Sequence, residues 1–219
     1  MELKGKKINF LGDSWTAGGA VSNIKYAFVN RIEAMSGAAV CRNYGEGGTT
    51  IAKMQKPYGN EYDRDFCMRA DLMDDDADII VVLGGTNDFG HGSAPLGEFS
   101  DRTPDTFYGA MHTLCLKLLN KYPTSTIVFI TPNHRVARLE GEKGEDTPNA
   151  YGAVLYDYVK IIREVTQYYA LPLLDLYATS GIQPNVPIIR ETLMPDGLHP
   201  NDDGHKIVAD KIYSFLKAL

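Results

Sequence analysis

The sequence of 219 residues has few cysteines, little clustered basic charge and no long apolar segment. Its three cysteines, Cys41, Cys67 and Cys115, form no Cys-x-x-Cys pair, which argues against a disulfide framework or a zinc ribbon and fits a reducing compartment. No apolar run approaches the roughly 18 residues that a membrane span requires, and no signal peptide precedes the first apolar run. We therefore expect a soluble, cytoplasmic protein.

Basic residues are scattered, and the net charge is -6 with a pI near 5.4. The one basic cluster, Lys4-Gly5-Lys6-Lys7, is short. Because nucleic acids and anionic membranes are bound by clustered Lys and Arg, we expect neither as a partner. With 44% hydrophobic and 23% charged residues, the composition is that of a globular protein with one substantial core. We expect a single domain over residues 1–219, while its oligomeric state stays open.

Strand-like apolar runs alternate with helical patterns along the chain. The predicted strands are Ile8–Leu11, Ala38–Tyr44, Ile79–Leu83, Thr126–Ile130 and Leu171–Leu176. The predicted helices are Tyr26–Met35, Arg64–Leu72, one beginning at Thr103-Pro104, one running from Thr147-Pro148 to about Tyr169, and one capped by Asn201. Crossovers of this length are typical of a doubly wound parallel sheet. We predict an α/β fold, a three-layer α/β/α sandwich with five parallel strands in the flavodoxin-like order 2-1-3-4-5.

Three connections are too long for simple turns, namely residues 91–103, 133–147 and 179–195. Long loops in compact domains are often binding loops or lids. We expect all three near the carboxyl edge of the sheet, where ligands bind in folds of this kind.

Ser14 follows the first predicted strand directly, in Gly12-Asp13-Ser14. Near the other end of the chain, Asp196 and His199 are three residues apart. At that spacing the imidazole Nδ1–H can donate to the carboxylate, which leaves Nε2 free to accept a proton. The pattern predicts that Asp196 orients His199 as a base for Ser14. The other four histidines, His91, His112, His134 and His205, have no acid at a matching spacing or fall in a helical pattern, so we expect no catalytic role for them.

Two further loops contain groups that can stabilise a developing oxyanion. Gly48 permits a close approach of its backbone N–H to a substrate, and the side-chain amide of Asn87 adds an uncharged donor. Together with the backbone N–H of Ser14, three donors can converge. Gly47 is the alternative to Gly48, and we choose Gly48 because it lies five residues after Asn43.

These four segments resemble the blocks of a known family, the SGNH hydrolases, also called GDSL-like esterases or lipases. The blocks are Gly12-Asp13-Ser14, Asn43-x-Gly45-x-x-Gly48-x-Thr50, Gly85-Thr86-Asn87-Asp88 and Asp196-x-x-His199-Pro200. The resemblance implies that Ser14 is the nucleophile, Gly48 and Asn87 are oxyanion-hole donors, His199 is the general base and Asp196 orients it. Trp15 departs from the leucine that the family often has at that position.

The resemblance also implies an ester hydrolase that acts through an acyl-enzyme, with no metal and no organic cofactor. Family substrates include lipids, thioesters and O-acetylated sugars. Charged residues of the segment 135–146 and three aromatic residues favour short acyl groups on a carbohydrate or another polar alcohol. These residues are Arg135, Arg138, Glu140, Glu142, Lys143, Glu145 and Asp146, together with Trp15, Tyr44 and Tyr58. A lysophospholipase or a thioesterase of the same family is the alternative.

Three other interpretations remain. Residues 14–18 could cradle a phosphate on their backbone amides, as in a flavodoxin-like phosphate- or flavin-binding module. A metallohydrolase could use Asp13, Asp88, Asp196 and His199, although no His-x-His or Glu-x-x-His spacing supports it. An inactive carbohydrate-binding relative is disfavoured because every catalytic position is filled. The absence of Gly-x-Ser-x-Gly around Ser14 argues against an α/β-hydrolase.

Overall fold

The structure is a computed structural model that describes residues 1–137 and 144–219. The strands are β1 (Lys7–Gly12), β2 (Val40–Gly45), β3 (Ile79–Leu83), β4 (Thr126–Ile130) and β5 (Leu173–Leu174). The helices are α1 (Ser14–Ala17), α2 (Phe28–Ser36), α3 (Phe66–Asp71), α4 (Thr86–Gly90), α5 (Phe107–Lys121), α6 (Leu155–Tyr168), α7 (Leu176–Thr179), α8 (Pro187–Leu193) and α9 (Asp202–Ala218). Short 3-10 turns cover Ile24–Tyr26 and Glu61–Asp63.

The five strands form one parallel sheet in the order β2-β1-β3-β4-β5. In its register, Gly12 of β1 is paired with Gly45 of β2 and with Leu83 of β3. The carboxyl ends of these three strands therefore meet at one edge of the sheet. The predicted α/β fold and strand order are confirmed.

Helices cover both faces of the sheet, which makes three layers. On β3, Ile80 and Val82 belong to the core that includes α3, α5 and α6, whereas Val81 and Leu83 belong to the core that includes α2 and α9. Every residue of β3 is buried. A strand covered on both faces has no polar side to present, which explains why its sequence is apolar throughout.

Helix α5 begins later than predicted, at Phe107 rather than after Thr103. Its cap is Thr106, whose hydroxyl accepts a hydrogen bond from Gly109 N at 3.1 Å. The carboxylate of Asp101 accepts hydrogen bonds from Glu98 N and from the Thr106 hydroxyl. This carboxylate holds the preceding residues in turns, so the Thr-Pro pair precedes the helix without starting it.

Helix α6 also begins later, at Leu155 rather than after Thr147-Pro148. The side-chain oxygen of Asn149 accepts hydrogen bonds from the backbone of Tyr151 and Ala153, which stabilises a turn in place of a first helical turn. Asp157 then accepts from Val154 N at 2.9 Å and caps the helix.

The sequence patterns did not predict α1, α4, α7 and α8, which have between four and seven residues. Helices this short show too few turns for apolar periodicity to be visible. The predicted cap of α9 is confirmed, because Asn201 Oδ1 accepts from Asp203 N and Gly204 N. Within residues 1–137 and 144–219, no helix has the length and apolar character needed to cross a membrane.

Candidate active site

Ser14 is the first residue of α1 and lies directly beyond the end of β1. Asp13 caps this helix, since its Oδ1 accepts a hydrogen bond from Trp15 N at 3.0 Å. Gly12 has no room for a side chain, because a Cβ there would overlap Thr16 and the carbonyl of Leu83. The chain thus turns back tightly on the strand and leaves Ser14 partly exposed at the carboxyl edge. Burial raises the pKa of Asp13 to about 6, although the hydrogen bond from Trp15 N acts to lower it.

The structure brings His199 and Asp196 to Ser14 although 185 positions separate serine and histidine in the chain. His199 Nε2 lies 2.9 Å from Ser14 Oγ. On its other side, His199 Nδ1 lies 2.7 Å from Asp196 Oδ2. The three side chains therefore form one continuous chain of hydrogen bonds.

The proton positions follow from the carboxylate of Asp196. Burial by itself raises the pKa of Asp196, but hydrogen bonds from the side chain and backbone of His199 and from Leu198 N outweigh it and lower the pKa to about 2. The ionised carboxylate only accepts, so Nδ1 carries the imidazole proton. Nε2 is then the acceptor for the Ser14 hydroxyl.

An open cleft of about 920 Å³ adjoins Ser14 and His199. Gly48 and Asn87 line the same cleft. Four of the five predicted site residues thus share one surface, and the fifth, Asp196, lies behind His199. A cleft of this volume is within the usual range for small-molecule sites.

Gly48 has a φ of 76°, a left-handed conformation that residues other than glycine rarely adopt. A Cβ at this position would also overlap the ring of Tyr62. Gly47, the alternative donor, faces Ser14, since a Cβ on Gly47 would lie 3.7 Å from Ser14 Cβ. Both glycines line the cleft, and the choice between their N–H groups stays a prediction.

Asn87 lies on α4, just beyond β3, and its side-chain Nδ2 donates to Thr49 O at 3.0 Å. The next residue, Asp88, is buried and accepts hydrogen bonds from Ile51 N and Ala52 N, each at 2.9 Å. Burial raises the pKa of Asp88 to about 7 despite these bonds. Asn87 and Asp88 together hold the loop after Gly48 against the end of β3.

The role of Arg69, a buried cation on α3, was not predicted from the sequence. Its guanidinium donates to Gly12 O at 2.9 Å, to Thr49 Oγ1 at 2.7 Å and to Tyr44 O. Burial lowers the pKa of Arg69, and Glu46, whose carboxylate is 3.6 Å away, opposes that effect. Arg69 ties the ends of β1 and β2 to the glycine loop. An arginine inside an amphipathic helix pattern gives no signal of such a contact.

The three aromatic residues predicted near the site have different environments. Trp15 is buried, and its Nε1 donates to Leu198 O at 2.8 Å, which holds the segment that carries His199. Tyr44 packs against the core beside α3 and α5, and its hydroxyl accepts from Asp74 N. Only Tyr58 is largely exposed, with its ring near Tyr62 and His91.

Two of the four histidines for which we expected no catalytic role make contacts that their positions in the sequence do not indicate. His91 Nε2 lies 2.8 Å from Gly48 O and His91 lines the cleft. His134 does have an orienting acid, because its Nδ1 lies 2.9 Å from Glu145 Oε2, eleven residues away. Arg135 and Glu145 are buried rather than solvated surface charges. Arg138, Glu140, Glu142 and Lys143 of the same charged segment lie outside the described residues.

The residues of the metallohydrolase interpretation form hydrogen bonds with other groups of the protein. Asp13 and Asp88 accept hydrogen bonds from backbone amides, and Asp196 binds His199. Across the two described ranges, no three His, Cys, Asp or Glu side chains are grouped so that they could hold a metal ion.

Comparisons with known proteins agree with this fold. One crystal structure is 34% identical, covers 100% of this chain and 99% of its own, and superposes with a TM-score of 0.89. A protein from Lactobacillus plantarum is 32% identical over 98% of both chains, with a TM-score of 0.86. A two-domain esterase active on acetylated mannans is 21% identical, covers 97% of this chain and 48% of its own, with a TM-score of 0.63, and shows the fold alone.

A search among curated proteins finds no match. The sequence does match the model of the GDSL-like lipase/acylhydrolase family over residues 10–207, nearly its whole length. That match supports a hydrolase acting on esters. Its span includes all five residues of the candidate site, and the chain belongs to the GDSL-like lipase/acylhydrolase family.

Proposed function

We propose that this protein hydrolyses carboxylic esters with Ser14 as the nucleophile, His199 as general base and then general acid, and Asp196 as the group that orients the imidazole. The observation that carries the proposal is the pair of contacts at His199, 2.9 Å to Ser14 Oγ and 2.7 Å to Asp196 Oδ2. A serine hydroxyl is a weak nucleophile unless a neighbouring base removes its proton, and this geometry supplies that base.

In the first half of the reaction, Ser14 Oγ attacks the ester carbonyl carbon while its proton moves to His199 Nε2. The carbonyl oxygen becomes an oxyanion, which the backbone N–H groups of Ser14 and Gly48 and the amide of Asn87 stabilise. The C–O bond to the alcohol then breaks, and His199 returns the proton to the departing oxygen. Asp196 stays ionised and stabilises the imidazolium between these steps.

In the second half, a water molecule attacks the acyl-enzyme and gives its proton to His199. Collapse of the second tetrahedral intermediate releases the carboxylic acid and returns the proton to Ser14. Every proton is accounted for by His199, so the sequence of steps uses neither a metal nor an organic cofactor.

We further propose that the substrate is a small ester with a short acyl group, such as acetyl, on a carbohydrate or another polar alcohol. The cleft is open and lined by charged side chains of both signs, among them Glu46, Glu61 and Arg64. Such walls suit hydroxyl groups better than a long hydrocarbon chain. The related fold of an esterase active on acetylated mannans is compatible with this proposal. Neither nucleic acid nor a membrane is part of it.

The nucleophile is tested by Ser14→Ala. Ser14 Oγ is hydrogen-bonded to His199 and Ser14 is partly exposed, so we expect the wild-type protein to react with a fluorophosphonate probe at Ser14. The Ser14→Ala variant should lose both labelling and ester hydrolysis while keeping its melting temperature. Ser22, an exposed serine bonded to Asp202, provides the control, and Ser22→Ala should still be labelled. Full hydrolysis by Ser14→Ala would contradict the mechanism.

The substrate class is tested with esters of increasing acyl length on one alcohol, followed by acetylated sugars, with and without a chelator. We expect the highest kcat/KM for acetyl and no effect of the chelator. A maximum at eight carbons or more would favour the lysophospholipase alternative, and preference for a coenzyme A ester would favour the thioesterase.

A further inference from the structure

Three rings are grouped beside Gly48 at the mouth of the cleft. The ring centroids of Tyr58, Tyr62 and His91 lie 5.8 to 6.1 Å from one another. Tyr62 packs directly over Gly48, where it leaves no space for a Cβ, and His91 contacts the carbonyl of the same glycine. We call these three residues the aromatic rim. Tyr62 and His91 line the cleft on the side of the glycine loop, and Tyr58 lies next to both rings.

The two tyrosines of the aromatic rim are exposed, unlike most large rings of this protein. Tyr58 is 53% exposed and Tyr62 is 37% exposed, whereas eight of the twelve largest fully buried side chains are aromatic. Tyrosine buries a large apolar face at low entropic cost, which suits a binding surface. An exposed ring cluster beside a catalytic serine is therefore available to a ligand.

The turn that carries the two tyrosines does not depend on their rings. The carboxylate of Asp63 accepts hydrogen bonds from Tyr58 N at 2.8 Å and Gly59 N at 2.7 Å. Asn60 Oδ1 accepts from Tyr62 N at 3.0 Å and caps the short 3-10 turn. Since these polar side chains already hold the backbone, packing of the turn does not explain why tyrosines stand at positions 58 and 62.

A carboxylate lies next to the rings. Glu61 lines the cleft beside Tyr62 and is exposed, and its carboxylate makes no hydrogen bond or ion pair within the part of the chain that the structure describes. Glu46, by contrast, is engaged by Arg64 at 3.0 Å and by Arg69. A carboxylate without a cation is an acceptor for hydroxyl groups.

Apolar ring faces next to a carboxylate match the chemistry of a pyranose. One face of a sugar ring presents C–H groups, which are attracted to the negative face of an aromatic ring, and its edge presents hydroxyl donors. A long acyl chain would match the rings but would leave Glu61 against hydrocarbon, which is unfavourable.

We propose that the aromatic rim is the subsite for the sugar ring of the ester, with the ring of Tyr62 stacking on its C–H face, the nearly perpendicular ring of Tyr58 bordering its edge, and Glu61 accepting from its hydroxyl groups. This inference rests on the proposed ester hydrolysis and adds to it the residues that recognise the alcohol. Tyr58, Tyr62 and Glu61 are specificity-determining residues in this assignment.

The test compares two acetyl esters that differ only in the alcohol, methyl acetate and a mono-O-acetylated methyl hexopyranoside. The measured quantity is the ratio of kcat/KM for the sugar ester to kcat/KM for methyl acetate. Tyr62→Leu and Tyr58→Leu should each lower this ratio about 10-fold, mostly through KM for the sugar ester. Tyr62→Phe keeps the ring face and should restore most of the ratio. Glu61→Gln should lower it by a smaller factor.

Tyr168 provides a matched control. It is 59% exposed and likewise clusters with a tyrosine and a histidine, Tyr169 and His112. It is the last residue of α6, which leads to the amino end of β5, at the edge of the sheet opposite the site. Tyr168→Leu should leave the ratio unchanged.

The outcomes separate the two proposals. If the wild-type protein cleaves neither ester, the proposed function is overturned. If it cleaves methyl acetate and the ratio is unchanged in Tyr62→Leu and Tyr58→Leu, the subsite alone is overturned. Loss of decanoyl-ester cleavage in these variants without a change in the ratio would assign the rings to the acyl chain and would also overturn the subsite. Melting temperatures of all variants verify that each protein is folded.

Discussion

The side-chain amide of Asn87 can act in packing, in catalysis, or in both. It is buried, donates to Thr49 O at 3.0 Å and lines the cleft that contains Ser14. An amide has two N–H donors, so one can hold the glycine loop while the other meets the oxyanion. Loss of the packing role and loss of the catalytic role have different measurable effects. A packing bond affects stability, whereas a bond made only in the transition state affects turnover.

Replacing Asn87 with alanine separates the two roles. We expect turnover to fall on the order of 100-fold with little change in KM, because the lost donor meets charge that develops only in the transition state. Stability should fall by about 1 kcal/mol through the lost bond to Thr49. Turnover number and unfolding free energy are measured on one preparation.

Asn9→Ala is the control for loss of a buried amide. Asn9 is fully buried in β1 and donates to Asp74 O at 2.9 Å, away from the cleft. The Asn9→Ala variant should be less stable than the wild-type protein, while its turnover per folded molecule should be unchanged. Near-wild-type turnover in a folded Asn87→Ala protein would remove Asn87 from the oxyanion hole.

At the scale of elements, His205 joins α9 to two segments near the site. Its Nδ1 accepts from Phe28 N at 3.2 Å at the start of α2, and its Nε2 lies 3.2 Å from Gly19 O, shortly after α1. Both contacts need the neutral ring with its proton on Nε2. Burial, the largest influence, lowers the pKa of His205 to about 4, and Arg31 contributes in the same direction while Asp202 opposes it.

The pH dependence of stability follows from this shift. A histidine with a lowered pKa in the folded state contributes its stability fully above pH 6.5 and loses it as the pH falls through about 4. Between pH 7 and pH 4, we expect wild-type protein to lose up to about 3 kcal/mol more unfolding free energy than His205→Gln. Urea unfolding at both pH values measures the difference. Asp13 and Asp88 have raised pKa values, which act on stability in the opposite direction. Both residues are present in both proteins, so their contributions cancel in the comparison. Equal losses would show that folding does not lower the pKa of His205.

At the scale of the whole molecule, two cores on opposite faces of one sheet hold the carboxyl edge together. We propose that residues 1–219 unfold as one unit, since both cores share the strands β1, β3 and β4. The site lies at the edge, whereas α5 packs on a face. A defect in α5 should therefore weaken the whole protein without altering the geometry at Ser14.

Leu114→Ala tests this separation. Leu114 is fully buried on α5, and its truncation should lower the unfolding free energy by about 2–5 kcal/mol in a single shifted transition. Leu116→Ala, on the exposed side of the same helix with 43% exposure, should change it by less than about 0.5 kcal/mol. Turnover per folded molecule should be the same in both. A second transition that Leu114→Ala leaves unmoved would contradict a single folding unit.

Local patterns predicted the fold class and selected the candidate site residues. The apolar runs at Ile79–Leu83 and Thr126–Ile130 match β3 and β4 residue for residue, because a strand buried on both faces is apolar along nearly its whole length. Asn201 was identified as a cap because its preference arises within one helical turn. Helix starts were less reliable. At Thr103 and Thr147, side chains of Asp101 and Asn149 stabilise turns that compete with the first helical turn.

The contacts that join distant segments were decided by the tertiary structure. Four residues have ordinary local surroundings in the sequence but contact a residue of another segment at or near the carboxyl edge. They are Arg69, Tyr62, His91 and Glu145. The sequence determined which residue types stand at the ends of the strands, because strand ends, caps and turns are set by neighbours a few residues apart. Which of these residues touch depended on the parallel sheet, which places the carboxyl ends of separate strands side by side.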